Sequence, residues 1–135
     1  MAKRVFIDTS AWVAIFNAQD KHHKSVSQAL DNLTEQGALL ITSDYIIDET
    51  VTTILTRSNH ANACSFLDQF DGLPVATIPV FPVYFGPAQR LFRRYGDKGF
   101  SFTDCASFVY MQAHEVHTAL TLDKHFAQMG FAVLP

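Results

Sequence analysis

The chain has 135 residues, 48% of them hydrophobic, which is room for one domain (1–135) with a core of its own and not for two. Its two cysteines, Cys64 and Cys105, stand in no C-x-x-C or zinc-like spacing, which excludes a disulfide framework and fits a reducing, cytoplasmic setting. A formal net charge of −3 speaks against a broadly basic nucleic-acid coat, although acids gathered in one metal pocket would distort that total.

Val5-Phe6-Ile7 is a compact apolar run that stops at Asp8, too short for a signal segment or a membrane span, and it reads as a first strand. Helices are predicted over Ser10–Phe16 and His22–Glu35, then a second strand over Ala38–Ile41. Ser43 is placed to cap a helix over Asp44–Arg57, in which Ile47, Val51, Ile54 and Leu55 form one apolar stripe. A helix over Ala61–Phe70 precedes a third strand, Val75–Val80, into which Pro74 and Pro79 intrude. The connection Ile78–Pro87 is unusually apolar, and reads either as the buried exit of that strand or as a groove for a partner.

Helices over Pro87–Tyr95 and Thr103–Glu115 follow, the second with Ser101 and Asp104 spaced as a capping box. Cys105 shares helical spacing with Phe108 and Val109 and reads as a small core residue. Strands over Thr118–Leu122 and Phe131–Leu134 complete the chain. Short apolar runs alternating with longer helices predict an α/β protein, a three-layer α/β/α sandwich around a mostly parallel sheet.

In an open parallel sheet, ligands bind outside the carboxyl ends of the strands, where the strand order reverses. Asp8 ends the first strand and Asp123 follows the fourth, so both reach one edge if the two strands share a sheet. Asp104 belongs to a first helical turn, where the helix dipole favours negative charge. Glu49 lies off the stripe of its helix and points either to solvent or into a cleft. Were the four to converge, each pair at roughly 5 Å would repel by about 3 kcal/mol at an effective dielectric near 20. A divalent cation resolves that repulsion, and oxygen-only ligands suit Mg²⁺ or Mn²⁺, ions that serve phosphodiester hydrolysis.

The segments Val5-Phe6-Ile7-Asp8-Thr9-Ser10, Ser43-Asp44-Tyr45 to Glu49-Thr50, Ser101-Phe102-Thr103-Asp104-Cys105 and Thr121-Leu122-Asp123-Lys124-His125-Phe126 resemble the successive motifs of PIN domains. Length and motif set are most similar to the ribonuclease toxins of bacterial and archaeal toxin–antitoxin pairs, the VapC group. The resemblance implies a parallel-sheet sandwich that cuts single-stranded RNA, with Asp8, Glu49, Asp104 and Asp123 holding one or two Mg²⁺ or Mn²⁺ ions. It implies that Thr9 or Ser10 orients the site, and that an antitoxin protein is a partner. Some relatives carry a further acid near the last motif, where this chain has Lys124 and His125.

Arg90, Arg93 and Arg94 share one helix face, either merely solvated or gripping RNA phosphates. The six histidines lack converging Cys or His partners and are assigned no metal. Low charge content, 17%, with twelve phenylalanines, suggests that a partner or a second copy, as in a homodimer, covers apolar surface. Two rivals stand beside the nuclease: a catalytically silent scaffold of the same fold, and a phospho-acceptor receiver module, which would need an acid that the third strand lacks.

Overall fold

The computed structural model describes residues 2–135. Five strands form one sheet: β1 (Arg4–Ile7), β2 (Leu39–Ser43), β3 (Val75–Ile78), β4 (Thr118–Leu120) and β5 (Ala132–Leu134), in the order β3-β2-β1-β4-β5. Every neighbouring pair is parallel, and Phe6 stands opposite Ile41 on one side and Ala119 on the other. β1 is thus central, with Val5, Phe6 and Ile7 all buried, which is why it reads as a continuous apolar run rather than an alternating one. From β1 the chain winds out to β2 and β3, then returns to lay β4 and β5 on the opposite side. The order reverses between β1 and β4, and a crevice opens beyond their carboxyl ends.

The helices are α1 (Thr9–Ile15), α2 (His23–Glu35), α3 (Asp44–Arg57), α4 (His60–Phe70), α5 (Phe85–Arg94), α6 (Phe102–Ala113) and α7 (Lys124–Gln128). α1 packs on α2 and α3, α3 on α4, and α5 on α6, flanking the sheet as the α/β/α reading expects. Trp12 is wholly buried at the centre of one aromatic cluster, edge-on to Phe66 and Phe70, and its indole N–H meets Thr42 Oγ1 at 3.4 Å. A second cluster joins Phe100, Phe108, Phe126 and Phe131 beneath the start of α6.

Three differences from the sequence reading have local causes. α3 buries Ile46, Thr50 and Ile54, whereas Leu55, expected in its stripe, is 45% exposed. Thr50 tolerates burial because its hydroxyl donates to the Ile46 carbonyl at 2.7 Å, so a polar residue occupies a core position. β4 ends at Leu120 rather than Leu122, because Thr121 Oγ1 and the Leu122 N–H turn towards Ser10 and Asp8. α7 was not expected; it is one short turn capped by the Asp123 side chain, and Gly130 at φ 91° then redirects the chain into β5. Among smaller shifts, β3 stops at Ile78, before Pro79, and α5 begins at Phe85, two residues earlier than expected.

Candidate functional site

A cavity of about 460 Å³ lies in the crevice, and Asp8, Thr9, Ser10, Glu49, Asp104 and Asp123 all line it. Four separate stretches of chain deliver these side chains. Asp8 directly follows β1, and its backbone N–H donates to the Leu120 carbonyl at 3.1 Å, carrying the β1–β4 pairing one residue further. It precedes α1 in extended backbone but makes no capping bond, so its carboxylate is directed elsewhere. Ser10 Oγ and Thr121 Oγ1 donate to Asp8 Oδ2 at 3.1 and 2.9 Å. The same two hydroxyls accept the Leu122 and Asp123 N–H groups, each at 2.9 Å, which clamps the segment after β4 against α1.

Asp104 is held by the capping box read from the sequence: it accepts the Ser101 N–H on Oδ2 at 3.0 Å while its own N–H donates to Ser101 Oγ at 2.9 Å. Asp123 caps α7 through Oδ1, which accepts the His125 N–H at 2.9 Å. The His125 ring sits between them, Nδ1 lying 3.2 Å from Asp104 Oδ2 and 3.3 Å from Asp123 Oδ1, with Phe100 edge-on at 5.1 Å. In each aspartate these side-chain and capping bonds fall on one oxygen, and the second is left for a ligand. Glu49, half-buried on α3, faces the cavity, which settles the choice between cleft and solvent.

Electrostatics agree with a site built for a cation. Burial pushes the Asp8 carboxyl up to about 7, against the Thr121 hydroxyl and the Thr9 N–H, with Asp104 and Asp123 adding to the rise. Burial also raises Glu49, partly offset by the neighbouring Thr9 hydroxyl, and raises Asp104, offset by the Ser101 N–H. Cys105 beside Asp104 has its thiol pushed up to about 11 by burial, which leaves it an inert core residue.

Asp104, Asp123 and His125 each offer a ligand atom within 4.8 Å of one another. Thr9 Oγ1 is buried beside Glu49 but makes no well-formed hydrogen bond among the described residues, a polar atom that a hydrated ion in the cavity would satisfy. Uncommitted carboxylate oxygens and an orphaned hydroxyl at one cavity fit a hard divalent cation.

Some of this arrangement was not anticipated. His125, read with the other histidines as no metal ligand, stands within reach of two site carboxylates; the available signal is its place two residues after Asp123. Thr121 carries as much of the orienting work as Ser10; it opens the last motif segment, but nothing in the sequence pattern assigns it a role. Arg90, Arg93 and Arg94 are exposed on α5 and do not line the cavity; the basic residue that does is Arg57.

Comparison with known proteins finds the same fold along nearly the whole chain. Ribonuclease VapC26 of Mycobacterium tuberculosis is 27% identical over 138 residues, covering 97% of this chain and all of that one. The 23S rRNA-specific endonuclease VapC20 of the same species is 26% identical, covering 94% of this chain and 95% of its own. The crystal structure of VapC20, described as a sarcin-ricin loop cleaving toxin, superposes with a TM-score of 0.88 over 97% of this chain and 99% of that one. VapBC2 from Rickettsia felis, solved with a promoter DNA fragment, superposes at 0.71 with 17% identity over 96% of each chain, a likeness of fold. The PIN domain model matches residues 5–132, and the chain belongs to the PIN-domain family.

Proposed function

We propose that the protein is a metal-dependent endoribonuclease that hydrolyses phosphodiester bonds of single-stranded RNA, acting in the cytoplasm as the toxin of a toxin–antitoxin pair. The observation that supports it best is the convergence of Asp8, Glu49, Asp104 and Asp123 on one cavity at the strand-order reversal, with one oxygen of each aspartate anchored by the fold. Relatives named ribonuclease and 23S rRNA-specific endonuclease match 97% and 94% of the chain and support the same reaction class.

In this reading Asp8, Asp104 and Asp123 hold Mg²⁺ or Mn²⁺, with Glu49 and His125 beside them. When bound, the ion lowers the cost of forming hydroxide from water and balances charge on the phosphoryl oxygens. The chain's own residues supply orientation. Ser10 and Thr121 keep Asp8 Oδ2 in place, Ser101 does the same for Asp104, and His125 spans Asp104 and Asp123. Glu49 has only the neighbouring Thr9 hydroxyl beside its carboxylate and is raised by burial, which suits it to accept the proton of the attacking water. Attack on phosphorus breaks one P–O bond and leaves a phosphate monoester and a hydroxyl end.

A toxin requires a neutralising partner, and the segment between β3 and α5 presents Phe81 and Val83, 66% and 68% exposed, as apolar surface for an antitoxin or for a second copy in a homodimer. Incubation of the purified protein with labelled single-stranded RNA tests the enzymatic claim. Cleavage is expected with Mg²⁺ or Mn²⁺, none with EDTA, and a loss of about 100-fold or more in Asp8→Asn and in Asp104→Asn, the scale of removing one transition-state stabilising group. Cleavage that persists in EDTA, or in both variants, overturns it.

A further inference from the structure

Beside the acid cavity lies a second one of about 80 Å³, and the two share Val13, Asp20 and Arg57 in their walls. Together they form a continuous depression running from the carboxylates to the junction of α3 and α4. Arg57 is the sole lysine or arginine in either wall, and it makes no ion pair among the described residues although five acids line the same cavity. In the last turn of α3 a cation complements the helix dipole wherever it faces. Facing the cavity is the part that the dipole does not require.

The other polar groups of the second cavity have been sorted by their own hydrogen bonds. Asn17 Oδ1 is taken by the Gln19 N–H, so its amide NH₂ is what remains to offer. Asn62 Nδ2 donates one hydrogen to Ser58 Oγ, leaving its second N–H and the Ser58 hydroxyl proton. Asp20, the one acid here, has Oδ1 occupied by the His22 N–H. What the groove presents is therefore one guanidinium and several uncommitted donors, the complement of a phosphate, which only accepts.

Resting on the nuclease reading, we propose that this groove is the track for the RNA backbone next to the scissile bond, with Arg57 gripping a neighbouring phosphate and Asn17, Ser58 and Asn62 donating along it. A phosphodiester chain approaching five carboxylates is repelled everywhere except at bound cations and at Arg57, so the strand leaves the acids on the Arg57 side. Contacts to phosphate carry no sequence information, so this subsite sets position rather than base choice.

The test measures binding of a labelled oligoribonucleotide of mixed sequence across a salt series, with Ca²⁺ to hold the site loaded, alongside steady-state cleavage with Mn²⁺. Arg57→Ala is expected to weaken binding and raise KM about ten-fold with little change in kcat, and to flatten the salt slope by about 0.7, the value of one phosphate contact on a single strand. Arg57→Lys is expected to recover the slope, and an oligodeoxyribonucleotide to lose affinity by the same factor. Arg93→Ala on α5 is the comparison. An unchanged slope for Arg57→Ala while the wild type binds and cleaves RNA overturns the groove alone; a flattened slope in Arg93→Ala instead routes the strand over α5. Absence of RNA binding and cleavage by the wild type overturns the nuclease reading and the groove with it.

Discussion

The two hydroxyls that meet at Asp8 carry more consequence than their size suggests. Ser10 and Thr121 come from opposite ends of the chain, yet together they anchor Asp8 Oδ2 and the backbone that presents Asp123. His125 has a parallel role between Asp104 and Asp123. Groups that orient metal-binding carboxylates in this way are worth about 10–100-fold in metal affinity when removed. Thr121→Val and His125→Ala are each expected to weaken Mn²⁺ binding by that factor, read by titration calorimetry, while both variants keep the wild-type circular dichroism spectrum. An unchanged affinity in either removes that residue from the orienting set.

At the scale of elements, the start of α6 joins stability to the site. Ser101 and Asp104 exchange capping bonds, so one carboxylate oxygen caps the helix start while the same residue lines the cavity. Ser101→Ala is expected to cost about 1 kcal/mol, a few degrees in Tm, and to lower cleavage by more than that small loss explains, because Asp104 loses its anchor. Equal loss of Tm with full activity would show that the cap serves the helix alone. Packing beneath this helix is unforgiving: Phe108, wholly buried against Phe100 and Phe126, is expected to cost about 3–5 kcal/mol on truncation to alanine, measured by denaturant unfolding.

For the molecule as a whole, the site is a source of pH-dependent instability that a bound cation would relieve. The Asp8 carboxyl is raised from 3.8 to about 7 in the fold, so between these values the folded chain holds a proton that the unfolded chain has released. The contribution of this group is present below the lower value and is lost as pH rises through the upper one. The metal-free protein is therefore expected to melt at a lower temperature near pH 8 than near pH 5, and Asp8→Asn to flatten that dependence. Because a cation binds the deprotonated form, Mg²⁺ or Mn²⁺ is expected to raise Tm strongly near pH 8 and weakly near pH 5. A metal-free Tm that climbs over this range, followed by differential scanning fluorimetry, contradicts the buried-acid account.

The sequence by itself determined the parallel α/β/α class, the strand that ends at Asp8, the Ser43 cap of α3 and the capping box at Asp104, because apolar periodicity and caps are local rules. It also marked the acids, since motif order along the chain survives without coordinates. Only the tertiary structure decided which face of α3 is buried, and with it that Glu49 and Arg57 look into the crevice, because a buried Thr50 satisfied by its own helix hides the true stripe. The partnership of Ser10 with Thr121, and of His125 with Asp104 and Asp123, likewise exists only after β1 and β4 lie side by side. Orientation of a carboxylate is a property of what surrounds it, and those surroundings come from stretches of chain that sequence spacing does not connect.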